Sequence, residues 1–179
     1  DLRCARHVGV SDIFLKFVTY GKTKKVLMLD GETLFSQGDK GDHAYMIVHG
    51  VMDVLVDGKK VGAMRGGEVF GEMALILNQN RSATIISNKP TELISINKES
   101  FDELINSASE KAKQLIIELC KELSKRSEFQ NVNYSRAEID EILKSENELI
   151  TKITKQIFYR LERSTDHTFY SIWIIILIF

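Results

Sequence analysis

Glycine and proline are distributed unevenly along this sequence, and the asymmetry constrains the fold more than any other feature. All 11 glycines lie at or before Gly71, and Pro90 is the only proline in the 179 residues. Both residue types mark turns and are disfavoured inside helices. We therefore predict a first part of short strands joined by tight turns, and a second part, from about Lys98 onward, that is mostly helical.

Short apolar runs separated by turn residues fill the part before Lys98. They cover residues 26–29, 33–35, 44–48, 51–56, 83–87 and 93–96. Asp57-Gly58 directly follows the run 51–56, favours a type I′ turn and predicts a β-hairpin. Several short strands at this spacing are typical of a β-sandwich or barrel.

Helical periodicity begins where the strand-like runs end. Residues 98–105 place their apolar side chains on one face, which predicts an amphipathic helix. Ser109 or Glu110 is predicted to begin a longer helix, because apolar residues then recur at intervals of three and four up to position 123. Residues 10–18 have a similar pattern and predict a short helix before the first strand.

Residues 66–84, with the sequence GGEVFGEMALILNQNRSAT, bring glycines, a carboxylate and an arginine into one short stretch. Glycine lets the backbone approach a ligand closely, and free amides at the start of a short helix attract anions. The guanidinium of Arg81 offers a planar fork of donors that suits a phosphate. The carboxylate of Glu72 repels a phosphate and suits a hydroxyl donor, such as that of a sugar. This combination predicts a site for a ribose phosphate.

Residues 70–75, Phe-Gly-Glu-Met-Ala-Leu, followed by residues 81–84, Arg-Ser-Ala-Thr, resemble the phosphate-binding cassette of cyclic nucleotide-binding domains. The family pattern often has proline before the arginine, where this chain has Asn80. The resemblance extends over about residues 10–127 and implies an α+β fold, an eight-stranded β jelly roll with flanking helices. Residues 128–179 would then form a helical extension with an apolar C-terminal run.

The resemblance also implies a ligand, a cyclic purine nucleotide such as cAMP or cGMP, and the residues that bind it. Arg81 would hold the cyclic phosphate, and Glu72 would accept a hydrogen bond from the ribose 2′-hydroxyl. The other implied ligand-binding residues are Gly71, Met73, Ala74, Ser82 and Ala83 near the phosphate, Val61 and Met64 beside the purine, and Leu119, Leu123 and Arg126 as a helical lid. Core packing explains the purine pair equally well and explains the lid residues more simply. A hydroxyl beside the arginine, here that of Ser82, occurs with both cAMP and cGMP.

Charge and cysteine content narrow the class of protein. The net charge of −1 gives no bulk attraction for nucleic acid, and we expect no nucleic-acid partner. Cys4 and Cys120 cannot build a disulfide framework, which favours a cytoplasmic protein. The four histidines have no metal-ligand spacing and no nucleophile–base pair is evident, so we expect neither a metal nor catalysis. Because the chain begins at Asp1, we expect a fragment or a processed protein.

The function predicted from these features is a cyclic-nucleotide sensor, a regulatory module in which ligand binding repositions the helix that begins near Ser109. Two alternatives stay open at the level of sequence. One is a transcription regulator of the catabolite activator type without its DNA-binding part, although residues 130–179 contain no helix-turn-helix signal. The other is a structural scaffold of the same fold that binds no ligand.

Residues 136–163 predict one long helix with a wide apolar stripe. The stripe must pack on its own domain, a second copy or a following domain, and we predict a homodimer through residues 136–161 as one outcome. The apolar run 169–179 is shorter than the roughly 20 residues of a spanning helix. It is therefore a truncated membrane segment, a buried strand or a packing element. Arg160 and Arg163 would keep a membrane-anchored parent protein's sensor on the cytosolic face.

Overall fold

The computed structural model describes residues 23–125 and 134–176, with the side chains of the last helix described as far as Arg163. The chain divides into two compact units, Asp1–Ser107 and Ala108–Phe179. The helix predicted for residues 10–18 lies outside the described residues, as does Arg126.

The first unit is built mainly from strands. In chain order they are β1 (Thr23–Met28), β2 (Thr33–Phe35), β3 (His43–His49), β4 (Val51–Val56), β5 (Lys59–Arg65), β6 (Val69–Phe70), β7 (Thr84–Ser87) and β8 (Thr91–Asn97). The described part of this unit also contains two helices, α1 (Glu72–Ile76) between β6 and β7, and α2 (Lys98–Asn106) after β8.

These strands form two antiparallel four-stranded sheets, in the orders β1-β8-β3-β6 and β2-β7-β4-β5. A core cluster includes residues from both sheets: Met28, Ile47, Met52, Met64, Phe70, Ile85 and Leu93. Helix α2 packs against β3 and β8 of the first sheet, and its Phe101 and Leu104 are fully buried. The predicted α+β fold, an eight-stranded roll with flanking helices, is confirmed.

The hairpin predicted at Asp57-Gly58 is also confirmed. Val56 pairs with Lys59 across a two-residue loop, and Asp57 and Gly58 have φ angles of 50° and 77°, as a type I′ turn requires. Strands β5 and β6 were not among the predicted runs. The first four residues of β5 are exposed on the edge of a sheet, and β6 has only two residues, so neither gives the usual apolar alternation.

The second unit contains helices α3 (Glu110–Ser124), α4 (Arg136–Leu143) and α5 (Glu148–Ile176). The hydroxyl of Ser109 accepts a hydrogen bond from the amide of Ala112, which confirms the predicted start of α3. Helices α4 and α5 both pack against α3, and the contact between α3 and α5 is the more extensive.

The prediction of one long helix over residues 136–163 is wrong, because the helix is interrupted after Leu143. The side-chain oxygen of Asn147 accepts the amide of Ile150 at 2.9 Å and so caps the start of a new helix. Just before it, the carboxylate of Glu146 accepts the amide of Ser109 at 3.1 Å. These two polar contacts stabilise the interruption between the helices. It was not predicted because the apolar periodicity continues on both sides of it.

The apolar stripe of α4 and α5 is buried within this chain. Six of its members are each at most 3% exposed, namely Ile139, Leu143, Ile150, Ile153, Ile157 and Leu161, and the seventh, Ile142, is half-buried. The face on which a homodimer through residues 136–161 was predicted is therefore already covered, and that dimer stays a prediction. Residues 169–176 are helical, which excludes a strand there. Among the described residues, no helix is both long and apolar enough to cross a membrane.

Candidate functional site

The turn between β6 and α1 places a glycine and a buried acid at the start of a short helix. Gly71 has a φ of 75°, a left-handed conformation that glycine adopts without the cost a side chain would add. A Cβ atom at this position would lie 2.6 Å from Nη1 of Arg81. Glu72 follows as the first residue of α1 and is only 1% exposed. Glycine is thus required here both by the backbone and by the close approach of Arg81.

Arg81 is 4% exposed, and both its backbone and its side chain are held by hydrogen bonds. Its amide donates to the carbonyl of Asp39 and its carbonyl accepts from the amide of Gly38, each at 2.8 Å. In the side chain, Nη1 donates to the carbonyl of Gly71 and Nη2 to the carbonyl of His43, both at 2.7 Å. The guanidinium is therefore oriented by main-chain groups from two separate parts of the chain.

Aromatic rings pack against the same guanidinium. Its Cζ atom lies 4.1 Å from the ring centroid of Phe35 and 5.8 Å from that of Tyr45. Tyr45 in turn stacks on Phe70 with a centroid distance of 5.4 Å. A Cβ atom at Gly41 would lie 3.3 Å from Cζ of Arg81, so the chain also approaches Arg81 closely at that point.

Arg81 is a buried cation with several acidic side chains around it. Burial lowers the pKa of Arg81, while Tyr45, Asp42 and Glu72 each act to raise it. A guanidinium stays protonated in proteins even after such a shift. The pKa of Asp42 is lowered, first by its hydrogen bond with His43, whose Nδ1 lies 2.9 Å from Oδ1. The site therefore carries a fixed positive charge with acids around it.

Donors of Arg81 remain for a ligand. A guanidinium has five N–H groups, and the two carbonyls take one each from Nη1 and Nη2. Its Nε atom is buried and has no hydrogen-bond partner among the described residues. Buried donors are normally satisfied, and leaving one unsatisfied costs free energy. An anion that accepts from Nε would remove that cost.

The structure brings only part of the predicted residue set together near Arg81. The carbonyl of Gly71 accepts a hydrogen bond from Arg81. Ala74 lies beside Gly41, which is itself close to the guanidinium. Met73 and Ala83 are half-buried, whereas Ser82 is exposed.

The residues predicted to line the base lie in different environments. Val61 is 62% exposed on β5, an edge strand, whereas Met64 belongs to the core cluster at 8% exposure. Leu119 is buried and Leu123 half-buried on α3, in the second unit.

Four residues that lie at the side chain of Arg81 were not predicted from the sequence as part of the site. Phe35 and Tyr45 belonged to predicted strands, but nothing in their spacing marks one ring as lying under an arginine. Gly41 lies between the predicted runs 33–35 and 44–48, where the sequence indicates only a turn. His43 contributes a backbone carbonyl, for which side-chain identity carries no signal.

Comparisons with known proteins find a family model, curated relatives and solved structures that are similar to parts of this chain. The sequence model of the family described as "Cyclic nucleotide-binding domain" matches residues 26–108. The chain is 36% identical over 75 residues to a cAMP-dependent protein kinase regulatory subunit from Yarrowia lipolytica, covering 42% of this chain and 20% of that protein. It is 35% identical over 98 residues to a cGMP-dependent protein kinase from Toxoplasma gondii, covering 54% of this chain and 9% of that protein.

A solved structure similar to this chain is the cAMP-bound form of the EAL enzyme Bd1971. The TM-score is 0.53 and the identity 35%, over 56% of this chain and 28% of that chain. The chain thus spans less than a third of the length of each of these three proteins.

Proposed function

We infer that this chain is the ligand-binding part of a regulatory sensor, since residues 26–108 match the sequence model of the cyclic nucleotide-binding domain family. The proposed ligand is a cyclic purine mononucleotide. One observation supports this most strongly: a cation and an acid, Arg81 and Glu72, are buried to 4% and 1% exposure around the turn that starts α1. Burying the Arg81 cation is expensive unless its donors are satisfied, and its buried Nε has no hydrogen-bond partner among the described residues.

Each buried charge has a partner in the proposed ligand. The Nε–H and the remaining Nη hydrogens of Arg81 donate to the cyclic phosphate. The backbone amides of Met73, Ala74 and Ala83 donate to it as well. The carboxylate of Glu72 accepts a hydrogen bond from the ribose 2′-hydroxyl. Of the two residues predicted beside the purine, only Val61 stays in the proposal, because Met64 packs in the core.

The proposal covers cAMP and cGMP alike. The similar kinases are named for one nucleotide or the other, and Ser82, the residue beside Arg81, is exposed and can offer its hydroxyl to either. Binding rather than catalysis is the proposed role. The similarity to an EAL enzyme covers 28% of that chain and gives no reason to assign its chemistry here.

We place the protein in the cytoplasm, where the buried thiol of Cys120 would stay reduced. Self-association through residues 136–161 and membrane attachment of a longer parent protein are hypotheses that a sedimentation measurement and the parent gene sequence would test.

Ligand occupancy is proposed to reach the helices that follow in the chain. The amide of Lys98, at the start of α2, donates to the carbonyl of Asp42 at 2.9 Å, next to the residue whose carbonyl accepts from Arg81. The Lys98 ammonium lies 3.4 Å from the carbonyl of Leu75 in α1. A shift of α1 or of Arg81 would thus act on α2, which leads into α3.

Such a relay requires the ligand to bind two conformations with different affinity. Hydrogen exchange of the α3 amides is therefore expected to change when saturating cyclic nucleotide is added. Unchanged exchange throughout α3, in a sample shown by titration to be saturated, would contradict the relay.

Replacing Glu72 with glutamine tests the assignment of the ribose contact. Glu72→Gln keeps the shape but removes the charge, so affinity for a ribose cyclic nucleotide should fall about tenfold, the strength of one hydrogen bond to a charged acceptor. Affinity for the 2′-deoxy analogue should change little, because that ligand has no hydroxyl to donate. Calorimetric titration of both ligands gives the two ratios.

Glu68→Gln serves as the matched control, since Glu68 precedes β6 and lies outside the proposed contact. Equal losses of affinity for the two ligands in Glu72→Gln would remove the 2′-hydroxyl from the proposal.

A further inference from the structure

We propose that Phe35 is a positioning residue for ligand binding, whose ring holds the guanidinium plane of Arg81 in the orientation that receives the phosphate. The ligand in this statement rests on the proposed function. The contact between the two side chains does not, because it is present in the protein alone.

The geometry places the cation directly on the ring. Cζ of Arg81 lies 4.1 Å from the centroid of Phe35, well within the roughly 6 Å over which a cation is attracted by the face of an aromatic ring. Tyr45 supports the arrangement from farther away, at 5.8 Å from Cζ and 5.9 Å from the Phe35 centroid. Since Arg81 is 4% exposed, water competes weakly for the cation, which strengthens the contact.

The ring supplies a constraint that the hydrogen bonds leave open. The carbonyls of Gly71 and His43 fix the two Nη atoms, and the guanidinium could still tilt about the line that joins them. Contact with the face of Phe35 removes that freedom. Gly41, where even a Cβ atom would come within 3.3 Å of Cζ, leaves little room for a tilt in its direction. The plane of the guanidinium is thereby set before any ligand arrives.

The expected effect on affinity follows from this order of events. The stacking is present with and without ligand, so its own strength does not add to the binding free energy. It instead reduces the free-energy cost of ordering the Arg81 side chain when the ligand binds. Ordering one long side chain on binding corresponds to about three- to tenfold in affinity. Phe35→Leu keeps an apolar side chain of similar size but has no ring, so it should weaken cyclic-nucleotide binding by that factor.

Three variants separate positioning from general loss of stability. Phe35→Tyr retains the ring and should bind within about twofold of the parent. Val54→Ala removes apolar contact with the same core cluster, away from the ring contacts of Arg81, and should lower thermal stability without changing affinity. Phe35→Leu should lose affinity even where its thermal stability matches that of Val54→Ala.

A double-mutant cycle with Arg81→Lys gives the decisive result, because lysine has no planar group to orient. If Phe35 acts through Arg81, Phe35→Leu should reduce affinity about three- to tenfold in the parent and less than twofold in the Arg81→Lys background. The same cycle measured by denaturant unfolding without ligand should also be non-additive. Equal losses in both backgrounds, or full affinity in Phe35→Leu, would overturn the proposal.

Binding by the parent chain tests the proposed function, and binding by the Phe35→Leu variant tests the role of Phe35. A parent chain that binds neither cAMP nor cGMP would overturn the proposed function and, with it, the role of Phe35 in ligand binding. A parent chain that binds while the Phe35→Leu variant binds equally well would overturn only the role of Phe35.

Discussion

Arg81→Ala is expected to weaken cyclic-nucleotide binding by about a hundredfold or more, the largest effect of any single change. Hydrogen bonds to charged groups are worth about 1.5–3 kcal/mol each, and at least two such bonds to the phosphate would be lost. The carbonyls of Gly71 and His43 would also lose their donors, so the free energy of unfolding should fall by about 1–3 kcal/mol. Titration calorimetry and denaturant unfolding measure the two quantities separately.

Arg65→Ala provides the control for a general loss of positive charge, because Arg65 is exposed at the end of β5. It should bind as the parent does at physiological ionic strength, where exposed charges are screened. Arg81→Ala that stays folded and binds within threefold of the parent would remove the phosphate assignment.

Gly71→Ala is expected to damage both stability and binding. A side chain in the left-handed conformation at φ 75° costs about 1 kcal/mol. The added Cβ would also lie 2.6 Å from Nη1 of Arg81 and 3.3 Å from the carbonyl oxygen of His43, so the guanidinium must move. We expect a loss of more than tenfold in affinity, measured by titration, because the displaced guanidinium no longer presents its donors to the phosphate.

Gly31→Ala is a closely matched control for this change. Gly31 has a φ of 80°, and a Cβ atom there would meet nothing within 4 Å. The two alanine variants should share the conformational cost, and only Gly71→Ala should lose ligand affinity. Similar affinities in both would show that the contact between Gly71 and Arg81 does not matter for binding.

Local patterns in the sequence predicted much of the fold. The runs at Thr33–Phe35 and Val51–Val56 match β2 and β4 in their bounds, since each carries an apolar strand pattern between turn residues. Ser109 caps α3 because a serine hydroxyl at that position satisfies a free amide of the first turn. The break after Leu143 was missed because an asparagine cap inside a continuous apolar pattern is a weak signal.

The site was predictable only as far as its residues are close in sequence. Gly71, Glu72 and Arg81 lie in one stretch and could be grouped by their chemistry. The ring of Phe35 and the carbonyl of His43 come from β2 and β3, and strand pairing in two different sheets brings them to Arg81. Which strands pair, and in which register, depends on contacts across the whole unit, and local sequence patterns do not reveal those contacts.

Calorimetric titration of the unmodified chain with cAMP and with cGMP tests the central claim most directly. The account predicts saturable binding of at least one of the two, with one nucleotide per chain, and loss of that binding in Arg81→Ala. A folded chain that binds neither nucleotide, or an Arg81→Ala variant that binds as tightly as the parent, would contradict the account.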